Sequence, residues 1–545
     1  MRIAERFVTH TVENQPKPLP AYNMWVSDQA LQAAVQREQG AWAGAHLEAF
    51  GAIAGGEMME LGRVANEQRP QLRSFDQYGH RIDEVEFHPA YHALMTHAMG
   101  HGVHAFAWRH PEKPGAHVAR AALLYMSGQA EAGIACPLTM TYAALPALHH
   151  SPALAQEWAP RLTTLQYDAR ALPAGQKRGC TIGMGMTEKQ GGSDVRSNST
   201  RATPQGDGTY ALVGHKWFFS APMSDAHLVL AQTDGGISCF LVPRILSGGD
   251  RNAVRIQRLK NKLGDWSNAS SEVEFQGALA LPVGQEGRGI PTILEMVALT
   301  RLDCMNGSAG LIRQALVQAL WHTRQRQAFG KYLSDQPLMR NVLADLVLES
   351  EAAVALVMRI ARAVDRASVD PQEAALSRIA TAIGKYWICK RTPLCVNEAQ
   401  ECLGGLGYVE DSMLPRLYRQ APLNSIWEGS GNVQCLDVLR ALRREPETRD
   451  ALFAELQAGA SDCPELQQEI RWLGGAFDDV QNLEARSRMI VERVALALQA
   501  SLLNRAGEED IAVAFSRSRL AGERGLALGT LQPGLPLGSL VERAF

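Results

Sequence analysis

Residues 183–194 read Gly-Met-Gly-Met-Thr-Glu-Lys-Gln-Gly-Gly-Ser-Asp. The Gly-x-Gly start is similar to a dinucleotide-binding loop, but the third glycine and the following helix of that motif are missing, so we reject this interpretation. The paired glycines expose backbone N–H groups, and Thr187 and Ser193 add hydroxyls. Such donors suit the carbonyl and phosphate oxygens of a ligand. The alternative is a polar hairpin loop that binds nothing.

A second informative stretch, residues 216–220, reads Lys-Trp-Phe-Phe-Ser and is predicted to be a strand. Three consecutive aromatic residues are more often part of a core than the wall of a ligand site. Here a hydroxyl, that of Ser220, follows them directly, and a flat heteroaromatic ring would need both an aromatic face and a polar edge. Both interpretations stay open at this point.

A third stretch, residues 424–432, reads Asn-Ser-Ile-Trp-Glu-Gly-Ser-Gly-Asn and contains one carboxylate, Glu428. An apolar pocket disfavours the ionised form of a carboxylate, so its pKa should rise toward the range useful for proton abstraction near neutrality. The following glycines let backbone approach a flat ligand closely. We predict that Glu428 is a general base; the alternative is an acidic residue in a surface turn.

The hydrophobic pattern predicts four parts of the chain. Residues 1–180 have helix-like spacing behind an N-terminal arm, and residues 181–290 consist of short β-branched and aromatic runs between turn residues. Residues 291–445 return to long helices, and residues 446–545 form a helical extension whose tail, from Gly522, is expected to be poorly ordered. A strand domain between helical domains excludes a doubly wound sheet, in which strands and helices alternate.

The chain has 545 residues and a net charge of −3. Its composition, 46% apolar and 20% charged residues, is that of a soluble globular protein. We expect no membrane span, because no apolar run reaches about 18 residues. The first six residues lack the apolar core of a signal peptide. Nine cysteines without a Cys-x-x-Cys pair favour a reducing compartment, and we predict the cytoplasm.

Five histidines, at positions 88, 92, 97, 101 and 104, raise the question of a metal site. Two histidines four residues apart on a helix can bind zinc. A proline and two glycines interrupt this segment, and no nearby Cys, Asp or Glu completes a ligand set on the same face. We therefore predict no metal and interpret these histidines as core and surface residues.

Several motifs together resemble the acyl-CoA dehydrogenase family. They are Met186-Thr187-Glu188 with Gly192-Ser193-Asp194, residues 214–220, Arg326-Gln327-Ala328-Phe329-Gly330 with Gln336 and Asp345, residues 404–408, Leu417-Tyr418-Arg419, and Trp427-Glu428-Gly429. The resemblance covers roughly residues 120–445. Residues 9–16, 61–63, 175–179 and 424–432 are most similar to a member of the family from the bacterial response to DNA alkylation, and that resemblance fades after about residue 445.

The resemblance implies an α-helical N-terminal domain, a central β-barrel domain and a C-terminal four-helix domain, here followed by a helical extension. It also implies that FAD is bound between the domains and completed by a second subunit of a homotetramer, a dimer of dimers. By this resemblance the cofactor-binding residues are Met184, Met186, Thr187, Gly192, Ser193, Phe218, Phe219, Ser220, Trp427, Gly429, Ser430, Asn432, Arg326, Phe329, Gln336, Gly404 and Gly405.

The implied reaction is α,β-dehydrogenation of an acyl-CoA thioester of isovaleryl type, with Glu428 as the catalytic base. Electrons would pass to an electron-transfer flavoprotein or to oxygen. Arg301 matches the helix arginine that meets the CoA moiety, but the acidic companion usual in the family is replaced by Ala298. That departure puts the substrate in doubt more than the cofactor.

The rival hypothesis is a flavoprotein that binds double-stranded DNA and protects it from alkylation, with little turnover. DNA affinity needs basic side chains that displace counterions from phosphates. Residues 446–545 hold 10 arginines, no lysine and 15 acidic residues, which disfavours a phosphate-binding face there. A basic cluster does occur at Arg440, Arg443 and Arg444; the alternative for it is a solvated helix C-terminus.

Overall fold

The computed structural model describes residues 7–479 and 481–545, and its N-terminal part is mainly helical. The elements of this part are α1 (Gln29–Arg37), α2 (Gly44–Ala54), α3 (Glu57–Glu67), β1 (Gln71–Phe75), β2 (Arg81–Glu86), α4 (Pro89–Gly100), α5 (Phe106–Arg109), α6 (Ala116–Ala130), α7 (Ala135–His149) and α8 (Pro152–Leu162). Helices α6 and α7 are buried almost all round, as their Ala- and Leu-rich sequences predict.

The central part is a β-barrel. Its strands are β3 (Ile182–Gly185), β4 (Arg201–Pro204), β5 (Tyr210–Ser220), β6 (Ala226–Thr233), β7 (Gly236–Pro243), β8 (Val254–Leu259) and β9 (Ser270–Val283). The strand order is β3-β6-β4-β5-β9-β7, with β8 on β9, and β6 also pairs with β7. That last pairing closes the sheet, which removes the open edges of β6 and β7.

The C-terminal part begins with α9 (Gly289–Thr323) and a short hairpin, β10 (Gln327–Ala328) and β11 (Lys331–Tyr332). The further helices of this part are α10 (Pro337–Arg366), α11 (Pro371–Cys402), α12 (Leu414–Gln420) and α13 (Gly431–Arg444). Helix α11 packs against α9, α10 and α13. The helical, barrel and helical parts confirm the predicted fold class.

One element of the N-terminal part was not predicted. The hairpin β1–β2 leaves the helices and packs on the barrel, where Val85 joins the barrel core. Arg81 fixes it by donating from Nη2 to the backbone oxygen of Ile256 at 2.7 Å. The alternation of exposed and buried side chains in these two short strands is too brief to stand out from the helical pattern around it.

The extension contains α14 (Pro446–Gln457), α15 (Pro464–Asp478), α16 (Leu483–Ala506), α17 (Glu509–Phe515) and α18 (Leu537–Arg543). The expectation of a poorly ordered tail from Gly522 was wrong. Leu531 is buried, and its backbone N–H and oxygen pair with the side-chain amide of Asn341 on α10 at 2.9 and 2.8 Å. The turn residues of this tail therefore form a docked segment, held by contacts with residues far away in the sequence.

Two features are absent from the described residues. In the described residues, no helix is long and apolar enough to cross a membrane. The same residues contain no group of three His, Cys, Asp or Glu side chains arranged to hold a metal ion. Of the five clustered histidines, His92 contacts the hydroxyl of Tyr167, and His104 contacts the backbone oxygen of Thr164.

A fully buried ion pair network attaches the extension to α10. Arg519 donates to the carboxylates of Asp345 and Glu349, and Asp345 also accepts from the backbone N–H of Gly529 at 2.9 Å. Arg519 and Asp345 have no exposed side-chain surface. Because a buried charge without its partner is costly, this network fixes where the extension lies.

We predict that Arg519→Met lowers the free energy of unfolding by about 3–5 kcal/mol, because it leaves the buried carboxylate of Asp345 without its charged partner, whereas Glu349 keeps its ion pair with Arg391. The matched control is Arg449→Met, whose ion pair with Asp478 is largely exposed and whose loss should cost less than about 1 kcal/mol. Urea unfolding followed by circular dichroism measures both. Equal effects of the two substitutions would contradict the importance of the buried network.

Candidate functional site

Glu428 lies in a turn with an unusual backbone. Its φ is +57°, in the left-handed region that few non-glycine residues adopt, and Gly429 follows with φ +98°. A Cβ at position 429 would lie 2.6 Å from Nε2 of Gln434, so only glycine fits there. The turn connects α12 to α13 and holds the Glu428 side chain in one direction.

Two side chains, Lys385 and Gln434, hold the backbone of this turn through its carbonyl oxygens. Lys385, a buried residue of α11, donates to the backbone oxygen of Trp427 at 2.7 Å and to that of Gly429. Gln434 donates to the backbone oxygens of Glu428 and Gly429 at 3.1 and 3.0 Å. These donors satisfy the carbonyl groups that the turn leaves without helix partners.

The carboxyl group of Glu428 is desolvated. Burial raises its pKa, and the hydrogen bond from Thr300 and the charges of Lys385 and Arg301 oppose that rise. Thr300 Oγ1 donates to Glu428 Oε2 at 2.9 Å. The residue as a whole is half-buried. A carboxylate with a raised pKa is a candidate proton acceptor.

Arg301, predicted to meet the CoA moiety, is engaged with the turn itself. Its Nε donates to the backbone oxygen of Glu428 at 3.1 Å, and its Nη1 donates to Asp437 at 2.8 Å. Asp437 also accepts from Arg378. The geometry therefore gives Arg301 the role of a positioning residue beneath the base, a role that the sequence pattern did not indicate.

The glycine-rich loop of residues 183–194 is anchored by a buried ion pair that the sequence did not predict. Lys216 on β5 contacts Glu188 at 2.9 Å, and neither side chain is exposed. Glu188 also accepts from the backbone N–H groups of Ser199 and Thr200 at 2.7 and 3.1 Å. The charges of Lys216 and these donors hold the pKa of Glu188 well below its ordinary value despite burial.

The three aromatic residues of β5 separate onto different sides of the strand. Phe218 is 54% exposed, as a ring wall requires. Phe219 is only 2% exposed and stacks on the ring of His227 inside the barrel, at 3.9 Å between centroids. Because side chains alternate across a strand, Phe219 faces the side of β5 opposite to Phe218. Ser220 lies next to Ser270, at 3.2 Å between the hydroxyl oxygens.

Trp427, which directly precedes Glu428, packs against two apolar clusters. One contains Met184 of the loop and also has Met186 packed against it, and the other is the main helical core. The indole N–H of Trp427 donates to Asn424 Oδ1 at 2.8 Å, which fixes the ring. Glu428 and the loop are about 240 positions apart in the sequence, and the first cluster is the apolar core that both segments border.

The other predicted cofactor residues lie on exposed features. Ser430 and Asn432 are exposed at the start of α13, and Gly404 and Gly405 lie in a turn with open space beside both. Phe329 is 99% exposed at the tip of the β10–β11 hairpin. Of the predicted cofactor residues near this hairpin, Arg326 directly precedes β10 and Gln336 follows β11 by four residues.

The basic cluster of Arg440, Arg443 and Arg444 is exposed on the last turns of α13. Arg440 lies 3.6 Å from Asp437, and Glu445 pairs with Arg378 at 3.3 Å. The cluster is thus accessible, with acidic residues beside it that lower its net charge.

A helical N-terminal part, a closed barrel and a helical C-terminal part that meet beside a desolvated carboxylate define the architecture of an acyl-CoA dehydrogenase. The family models agree: Adaptive response protein AidB N-terminal domain matches residues 14–169, Acyl-CoA dehydrogenase, middle domain matches 183–278, and Acyl-CoA dehydrogenase, C-terminal domain matches 287–443. The chain belongs to the acyl-CoA dehydrogenase family.

Individual relatives place it further within that family. AidB of Escherichia coli (strain K12) is 54% identical over 446 residues, which are 82% of this chain and 82% of that protein. Acyl-CoA dehydrogenase family member 11 of Caenorhabditis elegans is 31% identical over 76% of this chain and 69% of that protein. The crystal structure of Caenorhabditis elegans ACDH-11 in complex with C11-CoA has a TM-score of 0.86 at 26% identity, over 96% of this chain and 95% of that chain.

We predict that Thr300→Val raises the pKa of Glu428 further, because it removes a hydrogen bond that favours the ionised carboxylate. The base then stays protonated to higher pH, so the acid limb of the kcat/KM profile moves to higher pH. Thr292→Val is the control, since Thr292 bonds only the preceding turn of the same helix. An unmoved acid limb would show that Thr300 does not set the protonation of the base.

Proposed function

We propose that this chain binds FAD and dehydrogenates an acyl-CoA thioester between its α and β carbons, with Glu428 as the base. The observation that carries the proposal is the state of Glu428: a desolvated carboxyl group with a raised pKa, held by a fixed turn next to Trp427, which packs against the apolar cluster that includes Met184. Perturbed carboxylates in such surroundings are typical of catalytic bases.

The residues present fit FAD. The hydroxyls of Thr187, Ser193 and Ser430 and the amide of Asn432 form no side-chain hydrogen bond within the described part of the chain, and none of these residues is buried. They are therefore available to a polar ligand. Phe218 supplies an exposed aromatic face, and no atom lies within 4 Å of where a Cβ of Gly404 or Gly405 would stand. We assign the isoalloxazine to Phe218 and the loop, and the Gly404–Gly405 turn to a neighbouring subunit's cofactor.

Each group of the chain then has a defined task. Bound FAD would supply the hydride acceptor, a chemistry that no side chain offers. Glu428 takes the α-proton, and Lys385, Gln434 and Arg301 keep its turn fixed while the charge on the carboxylate changes. The backbone N–H of Glu428 donates to no other described residue, so it is free to stabilise negative charge on the thioester oxygen.

The substrate class follows from the family and from one relative. ACDH-11 was crystallised with C11-CoA, which supports an acyl-CoA thioester as the substrate here. The replacement of the family's acidic residue by Ala298 removes one charge near Arg301 and is consistent with weak turnover of ordinary substrates. An electron-transfer flavoprotein is the proposed electron acceptor.

Exposed apolar side chains support an assembly of several copies. Phe329, Leu338 and Tyr408 are each more than four-fifths exposed on the single chain. Large apolar groups in such positions are typical of surfaces that another subunit covers. We propose the homotetramer of the family, in which Arg326 and Phe329 reach the FAD of a neighbouring subunit.

We predict that Glu428→Gln lowers the rate of dehydrogenation by about 10²–10⁴-fold, the usual contribution of a general base, and leaves FAD bound. Glu410→Gln is the control, because Glu410 is an exposed carboxylate paired with Arg419. Reduction of a dye by acyl-CoA measures the rate. Full activity of Glu428→Gln would overturn the assignment of the base.

A second candidate function, binding of double-stranded DNA, is favoured by the exposed arginines at positions 440, 443 and 444 and by the similarity to an adaptive response protein. The acidic balance of residues 446–545 limits the surface that could take part. In this hypothesis the flavoprotein protects DNA from alkylation and turns over little substrate.

If the protein binds DNA, the logarithm of the affinity should fall steeply with the logarithm of the salt concentration, since each neutralised phosphate releases counterions. Replacing all three arginines with glutamine should flatten that slope and weaken binding. Gel shifts between low and moderate salt test this. No shift at low salt, or a slope unchanged in the triple variant, would exclude this surface as the binding site.

A further inference from the structure

The segment from Arg324 to Gln336, which we name the bridging hairpin, has little support of its own. It contains only two residue pairs between β10 and β11. Its tip consists of Phe329 and Gly330 with φ of +52° and +78°, the backbone of a tight two-residue turn. Phenylalanine is unfavourable in that conformation, and a two-stranded hairpin alone is at best marginally stable in water. Contacts from outside must therefore hold it.

The N-terminal arm provides one set of contacts. The side-chain amide of Asn14 pairs with Gln327 in both directions, accepting from its backbone N–H at 2.8 Å and donating to its backbone oxygen at 2.9 Å. Arg326 donates to the backbone oxygen of Asn14. The backbone N–H of Lys17 donates to Gln325 Oε1 at 3.1 Å, and the backbone oxygen of Lys17 accepts from the indole N–H of Trp321 at 2.7 Å. The arm is thus held against the hairpin by hydrogen bonds that each involve one side chain.

The end of the extension provides the other set. Arg324, at the base of the hairpin, donates to the backbone oxygens of Val541 and Phe545 at 3.1 and 2.5 Å. Arg313, on the preceding helix α9, donates to the backbone oxygen of Ala544 at 2.7 Å. The ring of Phe545 meets that of Tyr22 edge-on at 5.4 Å. Residues 541–545 therefore touch both the root of the hairpin and the end of the arm.

These contacts are specific because they form in a poorly hydrated place. Val541 and Ala544 are buried, and burial lowers the pKa of the Arg324 guanidinium. A desolvated guanidinium needs hydrogen-bond acceptors, and here these are the backbone oxygens of Val541 and Phe545. Loss of those oxygens would leave the arginine without partners and the hairpin root without a fixed direction.

We propose that Asn14 of the arm and residues 541–545 of the extension form a clasp that positions the bridging hairpin, so that Arg326 and Phe329 complete the FAD site of a neighbouring subunit. The extension is then a positioning module for the assembled cofactor site. This inference rests on the proposed function, in which the hairpin serves the neighbour's FAD. Asn14, Arg324 and Phe545 are positioning residues and touch no cofactor themselves.

The test uses the full-length protein with two substitutions on opposite sides of the clasp. Asn14→Gly removes both side-chain bonds to Gln327 while tolerating the φ of +55° at this position. Arg324→Met removes the bonds to α18. Arg449→Met, an arginine of the extension with an exposed ion pair, is the matched control. FAD affinity is measured by quenching of flavin fluorescence, and assembly by light scattering after gel filtration.

We expect each clasp variant to bind FAD about tenfold more weakly, the effect of one or two lost hydrogen bonds, and to dissociate at higher protein concentration than the wild type. The melting temperature of the Asn14→Gly protein should be unchanged, because that side chain is exposed. The control should match the wild type in both measurements.

The outcomes separate this inference from the proposed function. Wild-type FAD affinity and wild-type assembly in Asn14→Gly would overturn the clasp, whether or not Arg324→Met folds. A wild-type protein that binds no FAD would instead overturn the proposed function on which the clasp rests. If Arg449→Met lost as much FAD affinity as the clasp variants, that result would also contradict a specific positioning role of the clasp.

Discussion

The left-handed turn at Glu428 is the constraint on which the rest of the site depends. Such a backbone costs on the order of 1–3 kcal/mol at a non-glycine residue, so the surrounding structure must hold it. Lys385 and Arg301 do so with charged donors and Gln434 with a neutral one, and hydrogen bonds to charged groups contribute about 1.5–3 kcal/mol each. These donors bind the backbone oxygens of the turn. The carboxyl group and the backbone N–H of Glu428 therefore remain available to a ligand.

Sequence patterns were enough for the features that depend on local order. The change from helical to strand periodicity located the barrel, and a carboxylate between tryptophan and glycine drew attention to the proposed base. The features missed depend on distant partners. Lys385 and Lys216 stand in apolar surroundings in the sequence, a signal for buried cations, but their acceptors lie 14 or more residues away. A run of three aromatic residues also does not show which of them faces inward, and here Phe219 is buried while Phe218 is exposed.

The extension has a structural task in this account. Seven arginines of the described part of residues 446–545 form ion pairs, with Arg519 bonding α10 and Arg505 bonding α14. Five of them pair with acidic residues of the extension itself, while Arg519 and Arg543 pair with α10, and an acidic surplus remains on this part of the chain. The tail that was expected to be poorly ordered is also held by residues far away in the sequence. Asn341 and Asp345 bind backbone groups 184 or more residues later.

The most direct test of the central claim is the visible spectrum of the purified protein after loading with FAD and addition of acyl-CoA without oxygen. A base, a hydride acceptor and a thioester held together predict a bound flavin spectrum that bleaches as the thioester is added. A flavin spectrum unchanged by every acyl-CoA from short to long chains, or a protein that retains no flavin at all, would contradict the account.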